Sequence, residues 1–123
     1  VRLLGELPQN IFFHYLKASD IFLLNTGYEG LSHTLLEAMA AEVPVITTMV
    51  GGNSEVILEN GKDGILVHYD NREELKDAVL GLLRSPERGR KMARNARMSI
   101  SRFEKEKILK SIADLFNNEL ISG

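Results

Sequence analysis

The sequence predicts an α/β fold, with a parallel sheet of about four strands, covering helices and a helical C-terminal region. Three observations carry this expectation. Four short apolar runs, Val1–Leu4, Ile21–Leu24, Val43–Thr47 and Gly64–Val67, are each flanked by polar or glycine-bearing segments. None alternates like a half-exposed strand, and continuous runs of this kind suit parallel strands covered on both faces. Segments with helical spacing lie between them, which means βα repeats rather than hairpins. With 123 residues, the chain has the length of one domain with one core.

The elements follow in order. Asn10 to Ala18 carries Ile11, Tyr15 and Ala18 at i, i+4 and i+7, the spacing of one helix face. Ser32 to Glu42 offers Leu35, Leu36, Met39 and Ala40 as an apolar face. Ser54 to Glu59 is a short helical piece that ends in Asn60-Gly61, a fair stop. Three longer helical segments follow the last strand, at Arg72–Leu83, Glu87–Ser99 and Lys105–Leu120. Asn71 can cap the first, with Glu74 three residues on to close a capping box. Leu75, Val79, Leu82 and Leu83 then form its buried stripe, and Ser85-Pro86 starts the next helix with proline at its first position. Leu109, Ile112, Ala113, Phe116 and Leu120 make a stripe on the last.

Composition narrows the function classes. Hydrophobic residues make up 44% of the chain, but their longest runs fall far short of the roughly 18 residues of a membrane span. No signal-peptide pattern opens the chain. The absence of cysteine excludes disulfides and thiolate zinc sites, and fits a reducing compartment such as the cytoplasm. Residues 1–70 hold three Lys/Arg against nine Asp/Glu, and residues 71–123 hold twelve against eight. That asymmetry is too weak to argue for nucleic acid. Its sharpest part is Arg84, Arg88, Arg90, Lys91, Arg94, Arg97 and Arg102, relieved only by Glu87. Two readings of this run stand: a solvated helix surface, or peripheral contact with an anionic partner such as a membrane headgroup or a polyphosphate.

Right-handed crossovers place the C-terminal ends of all strands on one edge of the sheet, where ligands bind. The strand Ile21–Leu24 runs into Asn25-Thr26-Gly27-Tyr28-Glu29-Gly30-Leu31-Ser32 at that edge. The first N–H groups of the next helix, near Ser32 to Leu35, offer an anion site. Gly27 and Gly30 allow a tight turn and close approach to a bound group. Glu37 follows Glu29 by eight residues, a little over two helical turns. Carboxylates of this kind suit paired sugar hydroxyls. A second close-approach loop carries Gly51-Gly52 ahead of Asn53-Ser54-Glu55. Either glycine cluster alone also fits plain turn-making; their order and convergence on one edge point to a ligand. His14 and His68 share no spacing with each other or with an acidic pair that would suggest a metal site.

Three stretches together carry a family resemblance: Glu29-Gly30-Leu31-Ser32-His33-Thr34-Leu35-Leu36-Glu37-Ala38-Met39-Ala40, Val43-Pro44-Val45-Ile46 and Gly51-Gly52-Asn53-Ser54-Glu55. They resemble group 1 (family 4) of the retaining glycosyltransferases, which have the two-domain GT-B fold. The two glutamates match that family's E-x7-E motif. Gly61 to Val67 resembles the turn and last strand of its nucleotide-sugar domain, and Leu4-Gly5 with Tyr15, Ala18, Ser19 and Asp20 an earlier strand and helix. The resemblance implies a Rossmann-like sheet within a GT-B C-terminal domain, with residues 1–123 as part of the donor domain and 72–120 as its helical region. It implies a nucleotide-diphosphate sugar as substrate, no further cofactor, and a cytoplasmic location, either free or peripheral to the membrane.

Carried over residue by residue, the resemblance makes Glu29 the catalytic-site residue that contacts hydroxyls of the donor hexose. Glu37 would bind the ribose. Backbone amides around His33, Thr34 and Leu35 would face the diphosphate, while the His33 side chain is either a direct ligand or a structural group. Gly30, Gly51 and Gly52 would line the donor pocket, and Glu55 would brace its loop. The chain also departs from the family. The Arg and Lys that clamp the diphosphate upstream of the motif have no counterpart, since Arg2 and Lys17 do not occupy that place. The usual Phe-Ser-Trp is represented only by Phe103-Glu104-Lys105.

The expectation is a fragment that begins at about the third strand of its domain and lacks the N-terminal acceptor domain, inactive by itself. Val1–Leu4 would then lack its usual neighbours and pair directly beside Ile21–Leu24, with exposed edges that promote self-association. Other classes remain as alternatives. A GT-B sugar-nucleotide epimerase would need catalytic acids of its own, and a non-catalytic interaction domain would have no physical reason to keep both glutamates. A phosphate-receiver domain wants an acidic cluster near its first strand, where only Glu6 stands.

Overall fold

A computed structural model describes residues 8–25, 33–48 and 60–122. Helix α1 (Gln9–Ala18) leads to strand β1 (Phe22–Leu24), helix α2 (His33–Ala40) and strand β2 (Val45–Thr48). Strand β3 (Ile65–Val67) is followed by helices α3 (Arg72–Arg84) and α4 (Pro86–Ser122). The three strands form one parallel sheet in the order β1-β2-β3. The architecture is the expected α/β one, with helices flanking the sheet and a helical C-terminal region. The expected strand Val1–Leu4 and the helical piece Ser54–Glu59 lie outside the described residues.

All four residues of β2 are fully buried. Val45 and Ile46 point to opposite faces, as successive strand residues must, and each anchors one of two cores. On Val45's face pack Leu16, Leu35, Ala38, Met39, Ala96 and Ile100. On Ile46's face pack Val67, Leu82 and Met92. Helix α4 supplies residues to both, so it crosses from one face to the other. It does so at the N-terminal edge of the sheet, where it meets Glu42 and Pro44 ahead of β2 and Lys62 and Asp63 ahead of β3. A Cβ on Gly89 would meet Pro44 Cγ at 3.3 Å, so the glycine lets α4 come close to the start of β2. Ser99 Oγ donates to Asp63 Oδ2 at 3.0 Å, and Asn95 Nδ2 donates to the Lys62 carbonyl at 3.1 Å. Arg97 also reaches Glu42, at 3.5 Å, but both side chains are well exposed. A pair of that kind contributes about 0–1 kcal/mol, against about 1.5–3 kcal/mol for a hydrogen bond to a charged group. Of these two polar contacts, the buried Asp63–Ser99 bond is the stronger, and it adds to the burial of Met92, Ala93, Ala96 and Ile100 in seating α4.

Several expected faces are corrected. In α1, Ile11 and Tyr15 are exposed, and Leu16 is buried with Phe12 and Phe13 against the core. The bulkier aromatic face wins over the more regular i, i+4, i+7 spacing. In α2, Ala38 is buried and Ala40 is exposed. That helix ends at Ala40, not at Glu42, because Glu42 takes a left-handed conformation with φ of 62°. Glu42 N–H donates to Met39 O and Val43 N–H to Ala38 O, both at 3.1 Å, the paired bonds of a Schellman stop. In α3, Leu82 is buried but Leu83 is exposed. The two expected helices Glu87–Ser99 and Lys105–Leu120 form one continuous helix. No glycine or proline lies between them, so nothing forces a break. Leu109 and Ile112 on its distal part are more than half exposed.

The expected capping box is half formed. Asn71 Oδ1 accepts from Glu74 N–H at 3.0 Å, while the Glu74 carboxylate turns back to His68. Asn71→Ala should lower stability by about 1 kcal/mol in urea unfolding. Ser99→Ala leaves the buried Asp63 carboxylate without its hydroxyl partner. A loss of about 1–3 kcal/mol is expected by the same measurement, and an unchanged midpoint would show that another contact seats α4.

Candidate functional site

The strands are parallel, so the chain leaves all three at one edge, at Asn25, after Thr48, and at His68. Leu24 is in register with Thr47. The chain therefore leaves β1 beside the point where it leaves β2, and Glu29, Gly30, Gly51 and Gly52 follow these exits in the sequence. These four residues lie outside the described ones.

Helix α2 returns from the same edge. His33 is its first residue, and its first turn points the positive end of the helix field towards the strand ends. Thr34 and Glu37 are three positions apart and share a side of this helix. Both are half-buried, outside the fully buried face of Leu35, Ala38 and Met39. The Leu35 side chain belongs to the core, so any role of Leu35 in binding falls to its main chain. The resulting arrangement is a half-buried carboxylate one turn along from the start of a helix that opens on the C-terminal sheet edge. It can accept hydrogen bonds from vicinal hydroxyls while the helix start favours an anion.

The fold adds a pair at this edge that the sequence reading kept apart. His68 follows β3, and its Nδ1 lies 3.0 Å from Glu74 Oε2. The same oxygen accepts the His68 backbone N–H at 3.4 Å. With a carboxylate facing it, Nδ1 is the ring nitrogen that donates in this pair. Nothing in the local pattern signals the pair, because the strand-to-helix turn joins two residues that spacing rules treat separately. Among the described residues no cluster of three or more His, Asp or Glu could hold a metal ion. A hollow lined by Asp20, Glu42, Pro44 and Arg90 opens at the opposite, N-terminal edge, away from Glu37.

Comparison with known proteins agrees with this layout. Residues 1–99 match the family model described as glycosyl transferases group 1. The N-acetyl-alpha-D-glucosaminyl L-malate synthase of Bacillus anthracis is 37% identical over 106 residues, which are 85% of this chain and 28% of that protein. The chain thus spans less than a third of this relative. The crystal structure of the C-terminal domain of a group 1 glycosyl transferase, LpcC of Francisella tularensis, superposes with a TM-score of 0.72 at 26% identity, over 80% of this chain and 50% of that one. Sucrose-phosphate synthase of Thermosynechococcus elongatus shares the fold, with a TM-score of 0.85 at 24% identity over 98% of this chain and 30% of that one. The family match over residues 1–99, together with the parallel sheet and its flanking helices, makes this chain a member of the group 1 glycosyl transferases, with the architecture of a GT-B domain.

Proposed function

We propose that residues 1–123 form part of the donor domain of a retaining glycosyltransferase that takes its sugar from a nucleotide-diphosphate sugar. The position of Glu37 carries the reading: a half-buried residue on α2, near the helix start and at the C-terminal sheet edge. In this reading Glu37 accepts hydrogen bonds from the ribose, and Glu29, eight residues earlier, holds the donor hexose. Gly30, Gly51 and Gly52 leave room for the sugar, and Glu55 braces its loop.

The chemical demand is charge that builds on the departing diphosphate while the sugar becomes oxocarbenium-like. Main-chain groups at His33, Thr34 and Leu35 answer the first part, as oriented dipoles that need no reorganisation during the reaction. Glu29 acts by position: it fixes the hexose so that the acceptor meets the correct face. The acceptor, and the cations that clamp the diphosphate, come from outside these residues.

One charged hydrogen bond lost costs roughly 1.5–3 kcal/mol. In the parent enzyme Glu29→Ala should therefore lower turnover at least tenfold, with the melting temperature unchanged. Glu37→Ala should chiefly raise KM for the nucleotide sugar, as read from steady-state rates against donor concentration. Unchanged rates in Glu29→Ala would remove the donor-site assignment. A panel of sugar nucleotides should also shift the amide resonances of Thr34 and Glu37, and silence there would count equally against it.

A further inference from the structure

A second hollow lies at the N-terminal edge of the sheet, where the turn before β3 meets the first part of α4. Gly61, Lys62, Arg88, Lys91, Met92 and Asn95 line it, and its volume is about 250 Å³. Lys62 stands on the turn, while Arg88, Lys91 and Asn95 follow one side of α4 at i, i+3 and i+7. Asn95 Nδ2 donates to the Lys62 carbonyl at 3.1 Å, which ties the turn to the helix and sets the gap between the two walls. The Arg88 guanidinium lies against α3, with Nη1 3.8 Å from the point where a Cβ on Gly81 would stand. Positive charge is thus gathered from separate elements. No carboxylate lines the hollow, and Asp63, beside Lys62 in the chain, is buried and bonded to Ser99. Among the described residues, neither Arg88 nor Lys91 makes an ion pair. Cations one helical turn apart repel each other, and an anion between them relieves that repulsion.

We propose that this hollow binds a small soluble phosphate dianion, at a site separate from the donor edge. Charge and size select that class. Three cations around one hollow match a multiply charged anion better than a single carboxylate, and both Arg and Lys meet phosphate oxygens with charge-assisted hydrogen bonds. The volume lies below the roughly 300 Å³ at which sites for larger organic ligands begin. The space therefore suits a phosphate or a small phosphomonoester rather than a whole nucleotide sugar. Glu37 and the strand exits lie at the opposite edge of the sheet, so both sites can be filled together. An anion held here also links the β3 turn to α4, and so stabilises the folded chain by mass action.

The test is a titration of the protein with inorganic phosphate, at an ionic strength held constant with chloride and followed by amide resonances. Saturable shifts are expected at Lys62, Lys91 and Asn95, with a rise in melting temperature that tracks phosphate concentration. Replacing Arg88 and Lys91 together by Gln should weaken binding at least tenfold. A control pair with the same loss of charge, Arg102→Gln with Lys105→Gln, lies farther along α4 and should leave binding within about twofold. Equal weakening in the two pairs would mark a general charge effect and overturn the proposal. So would shifts confined to Thr34 and Glu37, no saturable shift, or a response to phosphatidate vesicles without one to free phosphate. All four substituted side chains are exposed. Should the Arg88 and Lys91 pair nevertheless not fold by circular dichroism, the position of the shifts in the unaltered protein decides. The readout needs no glycosyl transfer, so its failure leaves the donor reading intact.

Discussion

The structure depends on burying β2 on both faces. A four-residue strand with no exposed side chain has no solvated face, so each neighbour must supply a complete cover. Alternation sends Val45 to one core and Ile46 to the other. The helices divide accordingly, α1 and α2 on one face and α3 on the other, and α4 spans the difference. Both strand pairs are parallel, with α2 making the crossover from β1 to β2, and this fixes the side of the sheet on which every strand ends. The location of the candidate site is thus a consequence of how β2 is covered.

The two edges of the sheet have different physical tasks. At the N-terminal edge α4 closes the core through Gly89 against Pro44 and through the buried bond between Ser99 and Asp63. These are close contacts that fix one geometry. At the C-terminal edge the chain departs into segments that carry glycines and glutamates, and α2 directs its positive end there. An edge held rigid on one side allows the other to be shaped for a ligand without loss of the fold. Half-buried Glu37 sits at the junction: the helix that holds it is anchored in the core by Leu35 and Met39, so its carboxylate is aimed by packing.

Much of this was legible in the sequence because it rests on local patterns. The three apolar runs that fall among the described residues are all strands, and each begins within two residues of its expected start. The cap at Asn71 and the proline start at Pro86 act where short-range rules place them. The motif from Glu29 to Glu37 pointed to one edge of a parallel sheet, and the fold puts Thr34 and Glu37 together there. The errors came where several local choices were equally good. Ile11 and Tyr15 compete with Phe12, Phe13 and Leu16 for the core side of α1, and spacing alone does not rank them.

The sequence by itself determined the α/β class, the strand positions and the family motif, because each depends on residues near one another along the chain. Only the tertiary structure decided which face of each helix is buried, since that depends on the volume left by distant elements. It decided that Glu74 serves His68 rather than closing its own capping box. It also decided that one long helix runs from Pro86 to Ser122, with its basic side outward and its small residues inward. A charge run shows no direction until packing assigns its other side to the core.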